Sequence, residues 1–148
     1  MPLVWARNPS MRCLIVGHGW AAERLPNRDE RVDVIGPVDD LAEIFSRVLL
    51  TVAPLRFGAG IKGKVLESFA AGVPCAMTEV AAEGLPLPPA LQALVADEAE
   101  QLARIILTLH ADPAANAAAR AAGLAMIAAE ASEQRVLDAM AAVLPKTG

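Results

Sequence analysis

Three glycines and two lysines fall within the seven residues from Gly58 to Lys64. Glycine lets a backbone approach a diphosphate closely, and a helix that begins beside it offers unpaired N–H groups at the positive end of its dipole. Lys62 and Lys64 add mobile positive charge beside those amides. The pattern predicts a phosphate-binding loop. The alternative is a solvated glycine-rich turn whose lysines only face water.

Two common nucleotide motifs match this loop in part. Gly58-x-x-x-x-Gly63-Lys64 is similar to a Walker A loop, but Val65 follows the lysine where magnesium binding requires a hydroxyl. Gly58-x-Gly60-x-x-Gly63 is similar to a dinucleotide fingerprint, but the next predicted strand ends too early for the acidic residue of that motif. A second such match, Gly17-x-Gly19-x-x-Ala22, also lacks the acidic residue. Neither motif is therefore favoured.

Glu67 follows Lys64 by three residues, so it lies on the adjacent turn of the predicted helix. One interpretation is an ion pair with Lys64 on the helix surface. The other is a ligand contact, because a carboxylate can accept hydrogen bonds from the vicinal hydroxyls of a ribose.

Apolar runs alternate with helical segments along the chain. The runs predict strands at residues 13–16, 32–35, 49–53, 75–78 and 94–96. Capping residues and apolar spacing predict helices at about 40–47, 60–71, 97–110, 113–131 and 133–144. Asp40, Asp97 and Asp112 are the predicted N-caps, Gly72 is expected to end the second helix, and Gly123 is a candidate interruption of the fourth.

Strands of this kind predict an α/β fold, a Rossmann-like parallel sheet with helices on both faces. The length of 148 residues suits one domain, residues 1–148. Ligands of such sheets bind beyond the carboxyl ends of the strands, where the glycine-rich loop lies.

Composition excludes several other classes of function. A net charge of −4, 3% aromatic residues and no tyrosine argue against nucleic acid as a partner. Cys13 and Cys75 lie in apolar runs without a histidine pair, which predicts buried thiols in a reducing compartment and no metal site. The sequence shows no signal-peptide core and no membrane-spanning run, so a cytoplasmic location is expected.

Residues 52–74 resemble the donor site of family 4-type retaining glycosyltransferases. Residues 14–17, 34–41 and 78–85 are similar to the same C-terminal domain, and the resemblance covers about residues 12–112. It implies a GT-B architecture, in which the second of two Rossmann-like domains holds the nucleotide-sugar. It also implies transfer without a metal or other cofactor, with the nucleoside diphosphate sugar as donor substrate.

The resemblance also implies roles for individual residues. Those expected to bind the donor diphosphate are Gly58, Ala59, Gly60, Ile61, Lys62 and Lys64. Glu67 is expected to bind the ribose, and the residues expected to form a pocket wall are Arg56, Glu83, Gly84 and Leu85. The family often has a sugar-orienting glutamate eight residues before the one matching Glu67, but Ala59 occupies that position. Loop amides from Gly58 to Ile61 are expected to cover part of that role, and no catalytic residue is assigned.

The resemblance starts inside the donor domain. Residues 2–9 look like the end of its first helix, so the chain is expected to be a partial domain that lacks the acceptor-binding N-terminal domain and cannot transfer sugar alone. That domain, another chain or a second copy would complete it, and attachment of the complete enzyme to a membrane surface stays open. Two alternatives remain: a degenerate, non-catalytic module for nucleotide binding or assembly, and a part of another GT-B enzyme such as a sugar-nucleotide epimerase.

Overall fold

Short parallel strands alternate with helices, which confirms the predicted α/β, Rossmann-like fold class. The structure is a computed structural model that describes residues 1–17, 29–58 and 62–130. Its elements are α1 (Pro2–Trp5), β1 (Cys13–Val16), β2 (Val32–Gly36), α2 (Leu41–Phe45), β3 (Thr51–Ala53), α3 (Gly63–Ala70), β4 (Cys75–Met77), α4 (Glu79–Ala82), α5 (Pro89–Gln92), α6 (Ala99–Ala111) and α7 (Pro113–Glu130).

All strand pairing in the described ranges is parallel. β1 pairs with β2 and β3 pairs with β4, as two two-stranded sheets. The predicted strand at residues 94–96 is reduced to a single parallel bridge between Met77 and Val95. Two hydrogen bonds hold this bridge: Met77 N–H donates to the Leu94 carbonyl at 3.0 Å, and Ala96 N–H donates to the Met77 carbonyl at 2.9 Å.

Several predicted boundaries shift by one to three residues. β3 begins at Thr51 rather than 49, and β4 ends at Met77, one residue earlier than predicted. α3 begins at Gly63 rather than about 60, because Lys62 has a non-helical backbone with φ −85° and ψ 56°. The helix ends as predicted at Gly72, whose φ of +68° is the left-handed conformation that glycine accepts without strain.

Two of the three predicted caps are confirmed. Asp40 Oδ1 accepts a hydrogen bond from Ala42 N–H at 2.7 Å, and Asp112 Oδ1 accepts from the N–H groups of Ala114 and Ala115 at 2.9 and 3.0 Å. Each cap satisfies N–H groups that the first helical turn leaves unpaired, worth about 1 kcal/mol.

The third cap prediction was wrong. Asp97 does not cap α6, which begins after Glu98 without a side-chain cap. Its Oδ1 instead accepts a hydrogen bond from the N–H of Glu79, the first residue of α4, at 2.9 Å. The bridge at Val95 explains the change, because it brings the following residues alongside the end of β4.

The larger hydrophobic core lies around α3, β3 and β4. Its largest fully buried side chains include Phe69, Met77, Leu91 and Val65, each at most 1% exposed. Burial of such a side chain contributes about 1.5–3 kcal/mol. A second cluster joins α1 to α6, and its buried members are Val4, Met11, Ala76, Ala103 and Ile106.

The two thiols differ in burial. Cys75 is buried, and this raises its pKa to about 11, so the side chain is an inert protonated thiol near neutral pH. Cys13 is only half-buried, and burial also raises its pKa. Both are free, as the sequence predicted, but the prediction of a buried thiol holds for Cys75 and was wrong for Cys13.

Gly123 lets α7 approach α3 closely. Gly123 does not interrupt α7, which runs from Pro113 to Glu130. A Cβ atom at this position would lie 2.8 Å from Cδ1 of Phe69, nearer than carbon atoms can pack. The predicted helix at residues 133–144 lies outside the described residues.

Replacement of Gly123 by alanine is expected to lower the free energy of unfolding by about 1–3 kcal/mol, because the added methyl group overpacks a buried contact. Urea unfolding measures the change. Gly63→Ala is the matched control, since its Cβ would meet its nearest atom, Glu67 Oε1, only at 4.0 Å. Equal stability of the two variants would contradict the proposed close packing.

Candidate functional site

The predicted site residues lie on two loops and on the start of one helix. The first loop connects β3 to α3 and the second follows α4. Because β3 and β4 are parallel neighbours, their carboxyl ends meet at one edge of the sheet. Fold topology therefore brings the glycine-rich loop close to the segment that carries Glu83, 16 residues beyond Glu67 in the sequence.

Thr78 fixes the beginning of the first loop. This buried residue follows β4, and its hydroxyl donates to the carbonyl of Leu55 at 2.7 Å. Its N–H donates to the carbonyl of Ala53 at 3.3 Å. The loop therefore leaves the sheet in a defined direction, and Thr78, which sequence reasoning placed at the end of a strand, has a positioning role.

Lys62 fixes the other end of the same loop. Its side chain is only 5% exposed, and Nζ donates to the carbonyl of Gly58 at 3.0 Å. Nζ also lies 4.0 Å from Oε2 of Glu83, whose side chain is 73% exposed. The expectation of a mobile charge at Lys62 is therefore wrong, because burial and the hydrogen bond to Gly58 hold the ammonium in place.

The start of α3 carries the remaining predicted phosphate contacts. The N–H groups of Val65 and Leu66 both donate to the carbonyl of Lys62, at 2.9 and 3.3 Å. The N–H groups of Gly63 and Lys64 lie in the first turn, before the first donors to an intrahelical carbonyl, so helix geometry leaves them available at the positive end of the dipole. The side chain of Lys64 is exposed and can move toward an anion beside these amides.

Buried hydroxyls hold α3 against the strands. Ser68 Oγ donates to the carbonyl of Val73 at 2.8 Å and lies 2.6 Å from Thr51 Oγ1 on β3. Thr51 N–H donates to the carbonyl of Pro74 at 2.8 Å, which joins β3 to the residue before β4. These contacts hold the C-terminal turn of α3 on β3 and on the segment before β4, while Val65 packs the N-terminal half of the helix into the apolar core.

Glu67 is exposed on α3 and lies near the first residue of the helix. Its Oε1 would be 4.0 Å from a Cβ atom at Gly63, as expected for a helical side chain that leans toward the N-terminus. Among the ion pairs of the described residues, none joins Glu67 to Lys64. The surface-pair interpretation therefore has no support, and the carboxylate is accessible to a ligand.

A pocket of about 410 Å³ lies beside the second loop. It is lined by Glu79, Ala82, Glu83, Leu85, Leu87, Gln92 and Val95. Two predicted wall residues, Glu83 and Leu85, are among them, and Gly84 makes the turn between the two with a φ of +77°. Arg56 is exposed on the first loop and does not line this pocket.

Sequence reasoning missed the pocket residues on α4 and α5. Gln92 lies on α5, a helix of four residues that apolar spacing cannot reveal. Its Nε2 donates to the carbonyl of Leu87 at 2.9 Å, so its Oε1 keeps its acceptor capacity. A sequence signal existed only in Pro88-Pro89, because proline is favoured at the first position of a helix.

Three predicted phosphate-binding residues, Ala59, Gly60 and Ile61, lie outside the described residues, and so do Gly19 and Ala22 of the second dinucleotide match. Within the ranges that are described, no three histidine, cysteine, aspartate or glutamate side chains cluster as a metal site requires. None of the described helices is long and apolar enough to cross a membrane.

The chain is similar to one protein family and to one known protein. A family model described as glycosyl transferases group 1 matches residues 1–112. An exopolysaccharide phosphotransferase of Streptomyces coelicolor is 29% identical over 123 residues, which is 72% of this chain and 12% of the relative. The chain thus corresponds to a small part of that relative's length. No solved structure matches the chain significantly.

Replacement of Thr78 by valine is expected to lower the free energy of unfolding by about 1 kcal/mol, because the carbonyl of Leu55 loses its donor while the shape of the side chain is kept. Urea unfolding measures the loss. Thr108→Val is the control, since Thr108 is an exposed residue of α6. The same stability for both variants would show that the hydroxyl of Thr78 does not fix the loop.

Proposed function

Because the chain belongs to the glycosyl transferases group 1 family, we propose that it binds the nucleoside diphosphate part of an activated sugar, as the donor-binding part of a retaining glycosyltransferase. The observation that carries this proposal is the anchored loop between β3 and α3. Thr78 holds its beginning, Lys62 holds its end, and the loop leads into a helix N-terminus. Backbone N–H groups at such a place bind phosphate oxygens.

Lys64 supplies the mobile charge of this site. It follows the first residue of α3, and its exposed side chain can form a charge-assisted hydrogen bond with a diphosphate. During transfer the bond between the sugar and the diphosphate breaks, and negative charge develops on the leaving oxygen. The amides of the first turn and the Lys64 ammonium stabilise that charge electrostatically, and this is the catalytic contribution that we assign to the chain.

Glu67 binds the ribose in this proposal. Its carboxylate lies beside Gly63 at the start of α3, one helical turn from the proposed phosphate position. Two vicinal hydroxyls can donate to the two oxygens of one carboxylate. Glu67 thereby determines how the bound nucleoside is oriented relative to the phosphate site.

The pocket beside the second loop is the proposed place for the rest of the donor. Glu79 and Glu83 supply carboxylate oxygens and Gln92 supplies an amide oxygen, so the polar side chains of its lining accept hydrogen bonds. The apolar part of the lining is formed by Ala82, Leu85, Leu87 and Val95. Such a surface suits a hydroxyl-rich, uncharged group and repels a phosphate.

The similarity to an exopolysaccharide phosphotransferase favours a second candidate, in which the bond that breaks lies between the two phosphates. Transfer of a sugar releases a nucleoside diphosphate, whereas transfer of a sugar phosphate releases a nucleoside monophosphate. Titration with both products separates the candidates. A preference of at least about tenfold for the diphosphate, or about 1.4 kcal/mol, supports sugar transfer, and equal affinities support phosphotransfer.

Lys64→Ala and Glu67→Ala are each expected to weaken binding of nucleoside diphosphates by about tenfold or more, because each removes a hydrogen bond to a charged group. Isothermal titration calorimetry measures the dissociation constants. The controls are Arg104→Ala and Glu100→Ala, which remove the same charges from exposed positions of α6. Unchanged affinity in both site variants would refute the assignment, and no binding by the folded wild-type chain at millimolar ligand would refute the proposed function.

The purified chain is expected to transfer no sugar from a nucleotide-sugar, since the GT-B resemblance assigns the acceptor to a separate N-terminal domain. Radiolabelled or mass-spectrometric detection of the transferred sugar is the measurement. Addition of the acceptor-binding domain, on the same or another chain, is the positive control. Transfer above background by the chain alone would contradict this part of the proposal.

A further inference from the structure

Lys62 carries a charge that is almost fully removed from water. Its side chain is 5% exposed, and an ammonium group has three N–H donors. Among the described residues, the carbonyl of Gly58 accepts one of them at 3.0 Å. A buried charge is costly unless an opposite charge or further hydrogen bonds compensate it. The group beside Lys62 Nζ is therefore favoured to be an anion or a strong acceptor.

Glu83 is the anion beside Lys62 in this structure, but its contact is a loose one. Oε2 lies 4.0 Å from Nζ, which exceeds hydrogen-bond distance, and the side chain of Glu83 is 73% exposed. A carboxylate in this situation keeps most of its hydration. Because it is solvated and lies beyond hydrogen-bond distance, it can leave the cation at little cost.

Lys62 and Glu83 come from two different loops of the site. Lys62 ends the glycine-rich loop at the first turn of α3, whereas Glu83 reaches across from the loop that follows α4. The Glu83 carboxylate is therefore near Lys62 at the start of α3, and the same residue lines the pocket. The same space would be taken by the phosphate of a ligand that spans these two places.

We infer that the Glu83 carboxylate is a placeholder for a ligand phosphate beside Lys62, and that a diphosphate displaces it on binding. This inference rests on the proposed function. Exchange of one anion for another leaves Lys62 compensated in both states, so the buried ammonium is never without an opposite charge. Glu83 is then a competitor of the phosphate, and Lys62 is a phosphate-binding residue whose position is fixed before the ligand arrives.

A placeholder role for Glu83 predicts the opposite change in ligand affinity, when the residue is replaced, from that of a ligand-binding wall residue. A wall residue that bound the ligand would weaken binding when removed. A competitor strengthens binding when its charge is removed, because Lys62 then has no carboxylate to lose. Loss of a contact worth up to about 1 kcal/mol corresponds to dissociation constants that are about two- to fivefold lower.

The experiment compares Glu83→Gln with Glu79→Gln. Both changes remove one negative charge from the lining of the same pocket, but the Glu79 side chain forms no ion pair among those of the described residues. Inorganic pyrophosphate and uridine diphosphate are titrated calorimetrically into each full chain at low and at 0.5 M salt. E83Q is expected to bind about two- to fivefold more tightly than wild type at low salt, with a smaller gain for E79Q and a smaller difference at high salt.

The second part of the experiment repeats the titrations in a Lys62→Met chain. Methionine keeps much of the length of the buried side chain without its charge, and thermal unfolding reports whether the variant is folded. In this background E83Q should have no greater effect than E79Q, because the cation for which the carboxylate and the phosphate compete is absent. A full E83Q gain in the Lys62→Met chain would overturn the inference.

The remaining outcomes separate the two proposals. If wild type binds uridine diphosphate and E83Q binds it equally or more weakly, the placeholder is refuted while the proposed function stands. Binding by E83Q alone would support the placeholder, since the carboxylate would then exclude the ligand in wild type. If no chain binds either probe, both proposals fail.

Discussion

Parallel pairing between β3 and β4 is the constraint on which the rest of the site depends. It places two carboxyl ends at one edge of the sheet, so residues far apart in the sequence meet there. Thr78 uses this arrangement directly, because its position after β4 lets its hydroxyl reach the carbonyl of Leu55 after β3. The contact of Lys62 with Glu83 spans the loops that continue from the same two strands.

Helix α3 determines which side chains at this edge of the sheet can contact a ligand. Its buried face, with Val65, Ser68 and Phe69, packs on the strands and on α7, and this fixes which residues face solvent. Lys64 and Glu67 lie on the exposed side by helical spacing. The packing that stabilises the fold thus also selects the side chains that can meet a ligand.

Local signals predicted much of the fold, whereas contacts between loops were not predictable. Apolar runs located the four strands of the described residues, and Asp40, Asp112 and Gly72 acted as expected because caps and helix ends depend on residues adjacent in sequence. Asp97 had the same local signal, yet its partner is Glu79, set by pairing at Val95. Lys62 likewise looked solvated, since nothing in Gly60–Lys64 reveals that Gly58 and Glu83 enclose it. The site was predictable as a loop but not as a set of contacts.

The two loops of the site differ in how firmly they are held, because the second one depends on the hydrogen bond from the N–H of Glu79 to Asp97. Buried groups hold the β3–α3 loop, but an exposed carboxylate, for which water competes, holds the start of the four-residue helix α4. Ala81 holds α4 on the core, so the part of the segment from Glu79 to Leu85 that can rearrange at lower cost is its exposed side, with Glu79 and Glu83. Under the proposed function, the part common to all nucleotide donors meets a preorganised surface, while the part that varies meets an adaptable one. Selectivity for the sugar would then evolve by changes at these exposed positions without disturbing the core.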